Sequence, residues 1–541
     1  MWQNRWRDAA RPLPPGWVPT RTVTVVIPAY NAAETLDLTL ASLAAQDYPS
    51  DLLEVIVVDD GSASPYELPD LRPTHTVIMR PTSGWGRANA CDTGARAGTG
   101  ELILWLDADI VAPRDHVRAH VALHEQVADV ATKGDLLFVP TWELTPEAVY
   151  RATAEDDLTG LFGAREHLER QWTEDVYART DDLNDAGPYR FSILTGASAM
   201  VSREMYVESG GLDTRLRLGE DSEFAHRLAQ LGAVFAPVRS AAAYHLGATN
   251  TQLRNHAVKH YDSPHFARRS PQISGRRTSL GRQWEVPKIL AVVETDVASA
   301  KYARAAVDRL LTSTEEDLAV VLVGPWSALH DERRRVLEDP TTELYLVREW
   351  YAGEGRVVLT EDRPRTGFPS PYLLEVPVTV GADELFVESL LRSLVKDQRG
   401  LASVPFVGRD GQETVRLFRT AAHSRALRHL EAGETIEHAI DRVWGSWVHD
   451  PARFELVDLT GDVDLGAPVG RKRSSRLDDA RVNRLRRAAH KARRERRRLE
   501  KRIGTLERQL RELRRPRLSV RQALRALARD ARALGRALLR R

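Results

Sequence analysis

A chain of 541 residues is too long for one ordinary core and predicts two to four packed units. The 42% apolar fraction is that of a globular protein, and the single cysteine, Cys91, excludes an intramolecular disulfide, which fits a reducing compartment. The formal charge of +1 conceals an asymmetry: residues 471–541 carry 28 Lys and Arg against 7 Asp and Glu, so the tail stands at +21 and the remainder at −20.

Residues 1–20 are rich in Pro and Trp and read as a lead-in, without the apolar core of a secretory signal. No stretch approaches the roughly 18 apolar residues of a spanning helix. The expected location is the cytoplasm, with room for peripheral contact at the inner face of the cell membrane. Residues 21–285 alternate strand and helix patterns. TVTVVIPAY predicts a buried strand, and ETLDLTLASLAAQ a helix with Leu36, Leu40 and Leu43 on its apolar face. LLEVIVVDDGS, HTVIMRP and ELILWLDADIV predict further strands, with the Gly-rich SGWGRANACDTGARAGTG before the last. Such alternation argues for a parallel sheet with helices on both faces, whose ligand crevice lies beyond the carboxyl ends of its strands.

Three of these strands deliver polar groups to that edge: Pro28-Ala29-Tyr30-Asn31, Asp59-Asp60-Gly61-Ser62 and Asp107-Ala108-Asp109. If Asp107 and Asp109 continue the strand alternation, they share a face. Two such carboxylates repel unless a cation sits between them, and a hard divalent ion fits when phosphate supplies the other ligands. Downstream, LGEDSEFAHRL reads as a loop entering a helix, with Glu220 and Asp221 at its start, where negative charge is favoured.

Residues 22–247, about 40% of the chain, resemble in order and spacing the GT-A catalytic domain of family 2 glycosyltransferases. VVIPAYN resembles the first-strand signature and VVDDGS the nucleotide-binding turn. Gly86-Arg87, Ala90-x-Asp92-x-Gly94 and Gly100-Glu101 resemble a further segment, with Asp92 replacing the usual Asn. LDAD resembles the metal motif, and TGASAMVSRE, GGLD and GEDSEFAHRL the acceptor-side half. The resemblance implies a Rossmann-like mixed sheet and transfer of a sugar from a nucleotide-diphospho-sugar, by family frequency UDP-linked. It implies Asp107, Asp109 and His245 around Mn²⁺ or Mg²⁺. It places Pro28, Tyr30, Glu34, Asp59, Asp60, Arg87, Asp107 and Gly196 against the donor. Asp221 becomes the general base of an inverting displacement, with Glu220 beside it. The implied acceptor is a hydroxyl of a glycan or lipid-linked glycan, as in bacterial cell-surface polysaccharide synthesis. Trp172 and Tyr177 are candidates for stacking on the acceptor sugar, and Trp105 reads as core.

Residues 286–470 open with PKILAVVETDVASAKYARAAVDRLLTSTEEDLAVVLVGPW, which repeats the layout of the first strand–helix–strand unit without its acids. The segment reads as a second α/β domain. Either a degenerate GT-A-like repeat or the common likeness of βαβ units accounts for it. Residues 471–541 form the basic tail. Apolar positions from Val482 to Leu513, spaced by three and four, predict a coiled coil over 478–515 that suits a homodimer. After Pro516, residues 517–541 predict an arginine-rich amphipathic helix suited to an anionic membrane. Nucleic acid is disfavoured, because the tail has no aromatic interleaving. The competing readings are a catalytically silent scaffold that binds a glycan or partner, and a sugar nucleotidyltransferase. The latter lacks support in a Gly-rich, Lys-bearing loop early in the first βα unit.

Overall fold

The computed structural model describes residues 2–465 except 141–142, 164–167, 186, 188–189, 273–276, 278–281, 331–334 and 462–463. The expected coiled coil over 478–515 and amphipathic helix over 517–541 lie outside the described residues.

The first sheet contains β1 (Val23–Ala29), β2 (Leu53–Asp59), β3 (His75–Met79), β4 (Leu102–Trp105), β5 (Ile110–Val111), β6 (Val130–Val139), β7 (Glu169–Arg170), β8 (Ala199–Ser202) and β9 (Val234–Leu246). Its order is β3-β2-β1-β4-β8-β6-β9-β5, with β7 paired to β6. β1 pairs in parallel with β2 and with β4, whereas β8 runs antiparallel to both β4 and β6. This is the mixed α/β sheet expected of a GT-A fold. The central strands are continuous apolar runs because helices cover both faces. Val25, Ile27, Val55 and Leu104 pack into one core with Leu36, Leu40 and Leu43 of the Ala33–Ala44 helix. Val26, Ile56, Val58, Ile103 and Trp105 pack into the opposite core. Side chains alternate across each strand, so the two cores divide neighbouring residues between them.

The second sheet contains β10 (Ile289–Glu294), β11 (Leu318–Val323), β12 (Val357–Thr360), β13 (Tyr372–Glu375), β15 (Leu401–Gly408), β16 (Gly411–Arg419) and β17 (Ser446–Val448). Its order is β12-β11-β10-β13-β16-β15-β17, and β14 (Val380–Ala382) pairs separately with β18 (Leu456–Asp458). The run β12-β11-β10-β13-β16-β15 repeats the order β3-β2-β1-β4-β8-β6. Both sheets lie in one compact unit. Buried Arg425 joins them, donating from Nε to the Gly232 carbonyl at 2.8 Å and from Nη2 to the Ala233 carbonyl at 3.0 Å. Among the described residues, no helix is long and apolar enough to cross a membrane.

Candidate active site

The strand ends of β1, β2 and β4 gather the expected acids and separate their roles. Asp59 is buried and already engaged: it accepts from the Ser62 N–H at 2.8 Å and from Arg80 Nη2 at 2.6 Å. Burial raises its carboxyl, but these donors outweigh burial and hold it below its ordinary value. It thereby holds the turn in this structure. Asp60 accepts from the Gly86 N–H at 2.7 Å through Oδ2, while Oδ1 is buried with no partner. Burial raises the Asp60 carboxyl. A buried orphan acceptor is costly unless a ligand donor reaches it, so Asp60 is the better candidate for a nucleoside contact. Tyr30 is half exposed at the end of β1 and meets Trp85 edge to face at 5.7 Å. Arg217 lies over the same Trp85 ring at 6.0 Å. Trp85 and Arg217 escaped the sequence reading. Trp85 was visible within SGWGR, but nothing local marks Arg217. Pro28 lies within β1, and Glu34 is exposed in the first turn of the following helix.

Arg87, the first residue of the Arg87–Ala97 helix, ties the Asp107-Ala108-Asp109 turn to Glu220. Its Nη2 pairs with Asp107 Oδ1 at 2.7 Å and its Nη1 with Glu220 Oε1 at 3.0 Å. Burial opposes ionisation of Asp107, but Arg87 outweighs it and holds that carboxyl low. Burial raises Glu220 despite the same arginine. Glu220 and Asp221 open the Glu220–Gln230 helix. Neighbouring helical residues face different ways, and the two carboxylates do so here. Glu220 turns to Arg87, while Asp221 accepts from the Ser222 N–H at 2.6 Å and the Gly196 N–H at 3.1 Å. A Cβ at Gly196 would lie 2.2 Å from Arg87 Nη2, and that guanidinium is pinned by two acids. Gly219, before the helix, has φ +73°, and a Cβ there would meet Phe266 at 2.6 Å. Both glycines therefore permit approaches that a side chain would block.

Asp107-Ala108-Asp109 forms a turn between β4 and β5 rather than a strand continuation. The expected trio Asp107, Asp109 and His245 is not gathered into one ligand group: among the described residues no three His, Cys, Asp or Glu side chains are placed to hold an ion. Arg87 satisfies Asp107 instead. Asp109 and His245 do meet, with Oδ1 and Nε2 3.6 Å apart. Asp109 Oδ1 is buried without a hydrogen bond, and burial pushes that carboxyl up to about 6. His245 Nδ1 lies 3.1 Å from the Gly247 carbonyl. An N–H donated there leaves the Nε2 lone pair facing Asp109. Two acceptors facing each other at this spacing suit a cation between them. Mg²⁺-type sites use one or two carboxylates plus substrate phosphates, and an added imidazole is better tolerated by Mn²⁺, a transition metal, than by Mg²⁺. The residues present therefore fit a divalent ion through Asp109 and His245.

One further expectation changes. Tyr177, a candidate for sugar stacking, is 1% exposed and lies beneath Arg239, because its ring completes the core under the first sheet. Trp172 is 53% exposed and free of that core. Asp92 accepts from Arg96 Nε at 2.6 Å, from the Tyr206 hydroxyl and from the Leu212 N–H at 3.1 Å. It fastens the GGLD segment to the Arg87–Ala97 helix, which gives the acid a structural use where the resemblance expects Asn. Trp105 is core, as expected.

Residues 24–140 match the sequence model of glycosyl transferase family 2. The chain is 26% identical to the chondroitin synthase of Escherichia coli over 343 residues, covering 59% of this chain and 48% of that protein. It is 30% identical to the pre-mycofactocin glycosyltransferase of Mycobacterium tuberculosis over 253 residues, covering 46% and 47%. The chain thus spans about half the length of these curated relatives. Among solved structures, a Pyrobaculum calidifontis mannosyltransferase in complex with GDP-Man and Mn²⁺ aligns at 24% identity and TM-score 0.33, over 50% of this chain and 68% of that one. Staphylococcus aureus TarS 1–349 in complex with UDP-GlcNAc aligns at 15% identity and TM-score 0.32, over 42% and 59%. The match of residues 24–140 and the similarity to named glycosyltransferases support a family 2 glycosyltransferase, on a sheet of the mixed α/β kind.

Proposed function

We propose that the protein transfers a sugar from a nucleotide-diphospho-sugar to a hydroxyl of a glycan or lipid-linked acceptor, in a metal-dependent, inverting displacement. The observation that carries this reading is the convergence of the Asp109–His245 pair, the Asp107–Arg87–Glu220 chain and the Asp221 carboxylate at one sheet edge.

Asp60, with its free buried oxygen, accepts a hydrogen bond from the nucleoside, and Tyr30 and Trp85 offer ring surface beside it. Asp109 and His245 would hold the divalent ion. When bound, such an ion supplies Lewis-acid stabilisation of charge on the departing diphosphate. Asp221 takes the proton of the acceptor hydroxyl as its oxygen bonds to the sugar C1 and the bond from C1 to the diphosphate breaks. The two backbone N–H groups on Asp221 fix its orientation. Arg87 holds Glu220 and Asp107 apart from that chemistry, so the base is the carboxylate no arginine occupies. UDP-linked donors are the first to test. The names chondroitin synthase and pre-mycofactocin glycosyltransferase support a glycosyl donor without choosing the sugar.

The test is a panel of nucleotide sugars with Mn²⁺, scored for nucleotide release and for transfer to acceptor. Turnover should require the ion and vanish with chelator. Asp221→Asn should lower kcat by about 10²–10⁴-fold, the range of general-base catalysis, with donor binding within a fewfold of wild type. Metal-independent turnover, or full activity in Asp221→Asn, would reject the mechanism.

A further inference from the structure

We propose that Lys133 is a positioning residue for this reaction: its buried ammonium fixes the turn whose Gly196 N–H orients Asp221. The inference rests on the reading of Asp221 as base.

Lys133 lies in β6 with 0% exposure. Its Nζ donates to the Ala197 carbonyl at 2.6 Å and to the Gly134 carbonyl at 2.7 Å. Among the described residues no carboxylate lies within ion-pair distance of it, yet it feels the charges of Asp135, Asp107 and Asp221. A fully buried ammonium is costly, and a methionine would fill the space without that cost. What the ammonium supplies is a fixed carbonyl. Ala197 belongs to the turn Thr195–Ser198 that enters β8. Two residues before Ser198, the Gly196 N–H meets Asp221 Oδ2 at 3.1 Å.

The far side of the turn is clamped as well. Ser198 has φ +56°, a conformation that serine seldom adopts. Its carbonyl accepts from the Gly134 N–H at 2.9 Å, and its Oγ lies 3.1 Å from His116 Nε2 and 3.2 Å from His120 Nε2. A strained turn held from below by a lysine and two histidines needs those partners to keep its shape. The second sheet offers a control within the same chain. Met200 pairs with Leu104 and Thr132, and Leu417 pairs with Leu374 and Ala402, so Ser403 stands at the register of Lys133. At the matching positions that sheet carries Pro377 and Thr379 at the strand end and Ser403 beneath it, in place of Asp107, Asp109 and Lys133.

The experiment uses the full chain with Lys133→Met and Asp221→Asn side by side. Nucleotide-diphosphate binding and melting report the fold, kcat and donor KM report the reaction, and hydrogen exchange of the 195–198 backbone reports the turn. The expected result for Lys133→Met is a kcat about 100-fold lower, the cost of misplacing a catalytic group by about 1 Å. Donor KM should stay within twofold and exchange at Gly196 should quicken. Should Lys133→Met lose nucleotide binding and cooperative melting together, Lys133→Gln, which keeps a donor for one carbonyl, is read by the same criteria. A kcat within twofold of wild type, alongside an inactive Asp221→Asn, overturns the positioning role and leaves the base reading standing. An active Asp221→Asn overturns the base reading and takes this inference with it.

Discussion

The two sheets share a strand order and differ in what they carry at the same register. In the first, the Leu106 N–H donates to the Val26 carbonyl at 3.1 Å and the Ile110 N–H to the Asp107 carbonyl at 3.3 Å. In the second, the Val376 N–H donates to the Val292 carbonyl at 3.0 Å and the Val380 N–H to the Pro377 carbonyl at 2.9 Å. The turn is the same, but Pro377 and Thr379 stand where Asp107 and Asp109 stand. At the end of β11, Gly324 and Pro325 replace Asp59 and Asp60 by the same pairing. The helix after the turn tells the same story. His116, His120 and His124 line its buried face in the first sheet, and Phe386, Leu390 and Leu394 line the Phe386–Lys396 helix in the second. One backbone plan thus supports either an edge of aspartates with buried polar groups beneath it, or an apolar core whose edge acids, Glu294 and Glu375, are bridged by Arg363. A shared plan does not make a site; the residues set on it do. We propose that the second sheet descends from duplication of the first and serves without catalysing.

Four measurements can break or sharpen this contrast. The largest effect belongs to Asp109→Asn, which should lower Mn²⁺-dependent turnover about 1,000-fold, because Lewis-acid stabilisation is worth several kcal/mol and each 1.36 kcal/mol is tenfold. Thr379→Ala at the matching turn should leave kcat within twofold; a large loss there would mean that the second sheet takes part in catalysis. Next, Asp60→Ala should raise donor KM about tenfold, as expected for one hydrogen bond to a charged group, and titration of the nucleotide should weaken equally. An unchanged nucleotide affinity would move the nucleoside elsewhere.

The third concerns acid. Burial pushes His116 and His124 down to about 3, and His120 well below its ordinary value. The unfolded chain therefore binds protons that the folded one refuses, so stability is complete above about pH 6.5 and falls as pH drops from there toward about 3. Each such histidine contributes a slope of about 1.4 kcal/mol per pH unit in that window. His124→Leu, which copies Leu394, should remove one histidine's share of the slope in urea melts at pH 4–6. An unchanged slope would show that His124 is protonated in the folded protein. The smallest effect is expected at Arg363, which bridges Glu294 at 3.0 Å and Glu375 at 2.5 Å with its side chain 48% exposed. Arg363→Ala should change stability by less than about 1 kcal/mol, as for exposed pairs, and leave transfer untouched, whereas Arg87→Met should cripple it.

The sequence by itself determined the parallel strands β1, β2 and β4, because continuous apolar runs ended by acids, Gly and Pro suit strands buried on both faces, whereas the antiparallel β8 was set by the tertiary fold. It also determined which edge carries chemistry, since carboxylates placed directly after buried strands have one place to go. It could not divide labour among those carboxylates. Whether Asp59 or Asp60 is free depends on Arg80, 21 residues from Asp59 at another strand end, and whether Asp107 faces an ion or an arginine depends on Arg87. The three histidines and Lys133 read as ordinary residues of a helix and a strand, and only the packing of that helix against β6 and β8 brings them under the Gly196 turn. Charge pairing and burial are properties of neighbours in space, and spacing along the chain does not encode them.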